Sequence, residues 1–159
     1  FYGSADKARH HGFEFTDWPN GRFATSTIVG TRPAGGVAAA WAVFQHLGRP
    51  GYRDIAKKLM TMVDRYKEGV ERVPGLKVCG RPHLSIVAVG SDEVDVFRVS
   101  EVMATKGWVP GLVQKPRAIH RMMSLIHADS MDEYLDDLRA AVGVVRQEVG
   151  STAKIQATY

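Results

Sequence analysis

Residues 23–41, FATSTIVGTRPAGGVAAAW, change character halfway along. The first half gathers hydroxyls at Thr25, Ser26 and Thr27, then a Thr31-Arg32-Pro33 turn bounded by Gly30 and Gly35. The second half opens an alanine-rich run, Val37 to Phe44, that is apolar on every face. Alanine favours helix, and a helix apolar all round is buried, so residues 36–47 are expected as a buried helix. Gly48 supplies a left-handed stop and Pro50 blocks continuation. Hydroxyls and backbone amides on a glycine-bounded turn suit a phosphate, with Arg32 as a planar cationic partner. A polar interface loop with Arg32 in a structural ion pair accounts for the same residues equally well.

Upstream, residues 1–34 show no sustained period and read as irregular, with Asn20-Gly21 as a tight-turn signal. A segment of that kind in a compact domain is often an active-site or interface loop. Phe1-Tyr2-Gly3 resembles the end of a strand entering a turn, which predicts that the chain begins inside a larger protein. His10 and His11 are adjacent and point apart, so they read as surface or loop-packing residues and not as metal ligands.

Downstream the periods are clear. Ile55, Leu59, Met62, Val63, Tyr66 and Val70 predict an amphipathic helix over residues 52–72, ended by Pro74-Gly75. Strands are expected at 76–79 and 84–89, with a turn at Gly80-Arg81-Pro82. Ser91 and Asp92 open a helix closed by Gly107. Trp108-Val109 begins a short strand, and residues 118–127 read as another. The last helix starts from a capping box, Ser130-Met131-Asp132-Glu133, and carries a stripe of Met131, Leu135, Leu138, Val142, Val145 and Val149. After Gly150 the tail is polar. The expected architecture is α+β, with helices packed on one face of a small, mostly antiparallel sheet. A boundary near residues 48–51 divides residues 1–48 from 49–159.

The 159 residues, 45% hydrophobic and 24% charged, exclude global disorder. No apolar run approaches the ~20 residues of a membrane span, and no signal-peptide layout appears. These features predict a cytoplasmic chain, with an anchor upstream left open. The single cysteine, Cys79, excludes an internal disulfide and reads as buried packing. Net charge is +4 and the pI about 9.3, but the basic residues are spread along helix faces, so no nucleic-acid partner is expected. A small basic binding or interaction domain is the non-enzymatic alternative. The sequence holds no Walker loop, GxGxxG or GxSxG.

TDWPNGRFATSTIVGTRPAGG resembles the D-W-x-x-G-x-Y-x-S-x-T-x-x-G-[ST]-R-P-G motif of sphingosine-1-phosphate lyases, members of the group II decarboxylase-like enzymes. The residues that carry it are Asp17, Trp18, Gly21, Ser26, Thr27, Gly30, Thr31, Arg32, Pro33 and Gly35, with Ala34 as an insertion. HLGRPGY, LSIVAVGS, VDVFRVSEVMATKGW and Leu125-Ile126-His127-Ala128 run parallel to the same family. The resemblance implies an α/β and α+β chain, the C-terminal part of a fold type I enzyme that uses pyridoxal 5'-phosphate. Residues 1–48 would end the large cofactor-binding domain and 49–159 would form the small domain.

It further implies a homodimer cleaving a phosphorylated sphingoid base to a fatty aldehyde and phosphoethanolamine. Within the same group, amino-acid decarboxylation is the alternative. The Schiff-base lysine belongs to an upstream segment with no counterpart here, since Lys7 stands in the wrong context. The chain alone is therefore expected to be inactive and to need the missing N-terminal part as partner. Ser26 and Thr27 are the implied contacts to the cofactor phosphate, lent from one subunit to the other. Arg32 would meet phosphate or order the loop, and Phe23 stands where the family has tyrosine, in a substrate or loop-ordering position.

Overall fold

The structure, a computed structural model, describes residues 3–27 and 29–148. Its contacts separate two compact units, Phe1–Gly48 and Arg49–Tyr159. The strand end expected at Phe1-Tyr2, the stripe position Val149 and the polar tail lie outside the described residues.

The first unit corrects the expectation of an irregular 1–34. Helix α1 (Ala5–Arg9) is capped by Ser4, whose hydroxyl accepts from the Lys7 amide. Strands β1 (Phe13–Trp18) and β2 (Gly21–Thr25) then form an antiparallel hairpin, with Phe15 opposite Phe23 and Trp18 opposite Gly21. Gly21 takes a φ of 97°, the left-handed conformation that the expected turn needs. Aromatic rings line one side: Phe15 lies 5.4 Å from Phe23, and Trp18 lies 6.2 Å from each of them. A register shift between Phe15 and Trp18 breaks the alternation, which is why no sustained period shows in the sequence.

Helix α2 (Gly35–Glu71) runs through both predicted helices. The break is confined to Gly48, at φ 56° and ψ −176°. Pro50 then falls in the first turn of the following segment, where its missing N–H costs nothing, so helix resumes at once. Residues 36–47, expected as a buried helix whose cover comes from the missing part, are not buried within this chain. Val37 is 74% exposed, Trp41 65% and Phe44 59%. Among the described residues of 3–48, none is buried.

The second unit has a core. Strands β3 (Leu76–Val78), β4 (Ile86–Ser91), β5 (Gly111–Val113) and β6 (Ala118–Met122) form an antiparallel sheet in the order β3-β4-β6-β5. Val87, Val89 and Ile119 point into one cluster with Met62, Val63, Tyr66 and Val70 of α2. Phe97 and Met103 of α3 (Val96–Ala104) and Leu138 and Val142 of α4 (Met131–Gln147) complete it. On the opposite face Ile86 and Met122 are exposed. Gly69 lets α2 approach α4: a Cβ there would lie 2.4 Å from Leu135 Cδ1. Among the described residues no helix is long and apolar enough to cross a membrane.

Several element ends differ from expectation for local reasons. Ser91 ends β4, its hydroxyl accepting from the Glu93 and Val94 amides, while Asp95 caps α3 through the Phe97 amide. The strand expected from Trp108 starts only after Pro110, at Gly111. The strand expected through residue 127 stops at Met122 and gives way to a 3-10 turn, Leu125–His127. The Ser130–Glu133 capping box does not form. Ser130 has φ −99° and ψ 6°, not the extended conformation of a cap, and its hydroxyl donates to the His127 carbonyl at 3.4 Å. Asp132 instead meets Arg65 at 2.5 Å. Cys79 is half-buried, against Gly90.

Candidate functional site

The predicted loop follows directly from β2. Thr25 Oγ1 accepts from the Thr27 amide at 3.2 Å and donates to the Thr27 carbonyl at 3.0 Å. Thr27 Oγ1 donates to the Val29 carbonyl at 2.8 Å. Both threonine protons are thus engaged in holding the loop on itself, as small hydroxyl residues do at turns. Ser26, between them, is exposed, and among the described residues its hydroxyl has no hydrogen-bond partner.

Ser26 and Thr27 line a cleft of about 520 Å³ together with His10, His11, Phe13 and Phe23. Phe23 is 40% exposed and packs in the aromatic row with Phe15 and Trp18, so its place is structural as well as lining. Arg32 is exposed, has no ion pair among the described residues, and does not line the cleft. Across the hairpin from Phe15 and Phe23, Arg22 clamps Glu14 with bonds of 2.6 and 2.9 Å. The Arg22 hydrogen bonds, reinforced by its charge, hold the Glu14 carboxyl below its usual range. Among the described residues no group of three His, Cys, Asp or Glu side chains is placed to hold a metal ion.

The cleft offers hydroxyl and imidazole groups beside aromatic walls, with no carboxylate and no lysine on its lining. Such a surface can donate to a phosphate but supplies no amine to bond a carbonyl carbon. From the sequence, Thr25 is one of the loop hydroxyls but not an expected contact. Counting from Asp17, the serine of the family motif falls on Thr25, and its hydroxyl is the one that ties the loop together.

No family model matches the chain. Sphingosine-1-phosphate lyase of Oryza sativa is 36% identical over 94% of the chain, and that of Arabidopsis thaliana is 38% identical over the same share. The chain spans 28% and 27% of the length of those proteins, within their C-terminal part. A probable L-aspartate decarboxylase of Thermococcus gammatolerans is 32% identical over 77% of the chain and 31% of its own length. Among solved structures, the sphingosine-1-phosphate lyase of Burkholderia pseudomallei superposes with a TM-score of 0.80 at 30% identity, covering 92% of this chain and 34% of that one. Sequence and fold agree over nearly the whole length: the chain belongs to the sphingosine-1-phosphate lyase family, among fold type I pyridoxal phosphate enzymes, and corresponds to a C-terminal part of its relatives.

Proposed function

We propose that this chain contributes one part of the active site of a pyridoxal phosphate-dependent carbon–carbon lyase, a homodimer acting on a phosphorylated sphingoid base. The observation that carries the reading is the open Ser26 hydroxyl on the cleft, between Thr25 and Thr27, which occupy the hydroxyl positions of the family motif. Ser26 donates to a phosphate oxygen of the cofactor bound by the neighbouring subunit. Thr25 and Thr27 hold the Ser26 backbone in place through their bonds to the Thr27 and Val29 carbonyls. The engaged proton of Thr27 makes it a positioning residue, with its amide direction fixed by Thr25. Arg32 adds positive charge near the loop. When bound, pyridoxal phosphate supplies the electron sink for cleavage.

Residues 1–48 are the end of the large domain and 49–159 the small one. Without a lysine in the matching context, the chain alone turns over no substrate. Turnover by the purified 159-residue chain would overturn that statement. For the site, the full-length enzyme carrying Ser26→Ala is titrated with cofactor and followed by visible absorbance. Losing one charge-assisted hydrogen bond weakens cofactor binding about ten-fold. Unchanged affinity removes Ser26 from the site, and absence of cofactor absorbance in the wild-type enzyme removes the reading altogether. The similarity to an aspartate decarboxylase supports a second reading, decarboxylation of an amino acid. Release of carbon dioxide in place of an aldehyde separates the two.

A further inference from the structure

Strand β6 carries a cation into the core of the second unit. Arg121 is 8% exposed, and its guanidinium carbon lies 3.7 Å from the Tyr134 ring centre and 5.8 Å from that of Trp108. Its Nη1 is buried with no hydrogen-bond partner, and among the described residues no carboxylate pairs with it. Two arginines on this unit's helices are matched differently. Arg98 meets Glu148 at 2.8 Å and Arg146 meets Glu93 at 2.5 Å. Arginine cannot escape the cost of burial by losing its proton, and aromatic faces offset only part of it.

The cation faces a cleft of about 470 Å³, a size that holds a small ligand, lined by Trp108, Pro110, His120, His127 and Tyr134 as well as Arg121. The cleft exists because β5 begins at Gly111, opposite His120, so β6 runs past its neighbour at Arg121. Gly111 also makes room for the His120 ring, since a Cβ there would lie 2.2 Å from Nε2. His120 Nδ1 is a second buried polar atom without a partner.

His127 adds a second polar ring to the lining. Its Nδ1 is held by Ser124, 3.0 Å from the Ser124 amide and 3.1 Å from the Ser124 carbonyl, so its donor or acceptor role follows the tautomer. The Trp108 indole N–H is engaged by Asp137 at 2.7 Å, so Trp108 offers the cleft an apolar face.

We propose that this cleft is an oxyanion site: Arg121 takes a carboxylate or phosphate group of a small ligand, with the His127 imidazole beside it on the lining. The proposal goes beyond the lyase reading and does not depend on it, because every residue it uses lies in the second unit.

The full chain is titrated with inorganic phosphate and, separately, with glutarate, following the Arg121 Nε–H and Trp108 indole resonances by NMR. Saturable shifts of both resonances are expected with one of the two probes, and the probe preferred identifies the ligand as phosphate- or carboxylate-bearing. Arg121→Met is expected to weaken binding about ten-fold or more. Arg117→Met, which removes an exposed cation paired with Asp95, leaves it unchanged. Should Arg121→Met fail to fold, Arg121→Lys keeps the charge but loses the planar fork, and is expected to weaken binding several-fold. No shift of the Arg121 resonance by either probe at about 10 mM, or binding retained in the Arg121 variants, overturns the proposal.

Discussion

Helix α2 before Gly48 and helix α2 after it are equally helical and meet opposite surroundings. Trp41 and Phe44 are 65% and 59% exposed, while Tyr66 and Val70 are 1% and 0% exposed. The second segment shows one apolar stripe, and that stripe finds α4 and the sheet within its own unit. The first is apolar all round, and its own unit, a hairpin and a short helix, provides no core. An amphipathic pattern names both a helix and the side to be covered. An all-round apolar pattern names only the need for cover.

The comparison is broken most directly by truncating one side chain in each unit. Leu138 is fully buried on α4, and Leu138→Ala should destabilise the chain by about 2–5 kcal/mol in urea unfolding. Trp41→Ala removes a larger side chain but should change stability by no more than about 0.5 kcal/mol. Equal losses would mean that the first unit packs against a core after all.

A smaller effect tests the helix approach itself. Gly69→Ala sets a methyl 2.4 Å from Leu135 Cδ1, an overpacking cost of about 1–3 kcal/mol. Better helix propensity returns about 1 kcal/mol, and Leu135 can rotate in part, so a net loss of about 1 kcal/mol is expected in thermal unfolding. The counterpart Gly36→Ala meets nothing within 4 Å, so only the propensity gain remains and the melting transition should hold or rise slightly. A stabilised Gly69→Ala would show that α2 and α4 are free to separate.

What the sequence made legible follows the same division. The stripes on α2 and α4 and the antiparallel order of the sheet are local periods, and they appear as expected in the second unit. The hairpin was hidden because β1 offers six residues and its alternation is broken after Phe15. Ser130 satisfied the capping-box spacing, yet the 3-10 turn before it fixes a backbone conformation that turns the hydroxyl away. In the loop, spacing put Ser26 and Thr27 together but could not tell a free hydroxyl from an engaged one. Arg121 carried no signal, since a charged residue in AIHRM reads as an exposed strand position until Tyr134 and Trp108 are brought over it.

The smallest effect concerns two carboxylates with similar shifts in the two units. Glu14 is held below its usual range by Arg22, and Asp137 by hydrogen bonds from Lys106 and Trp108. A carboxyl depressed on folding contributes stability that is present above its unfolded value, about 3.9 for Asp, and lost as pH falls through the lower folded value. Asp137 joins α4 to the end of α3, so its protonation is coupled to unfolding of the core. Asp137→Asn should therefore lower stability at neutral pH and flatten the decline between about pH 4 and the folded value. Glu14→Gln should abolish a shifted NMR titration yet leave the unfolding curve of the second unit unmoved, because the buried core cluster of that unit is built from its own residues. If Glu14→Gln shifted the acid limb as Asp137→Asn does, the two units would unfold as one, and the contrast between exposed and buried segments of α2 would have to be redrawn.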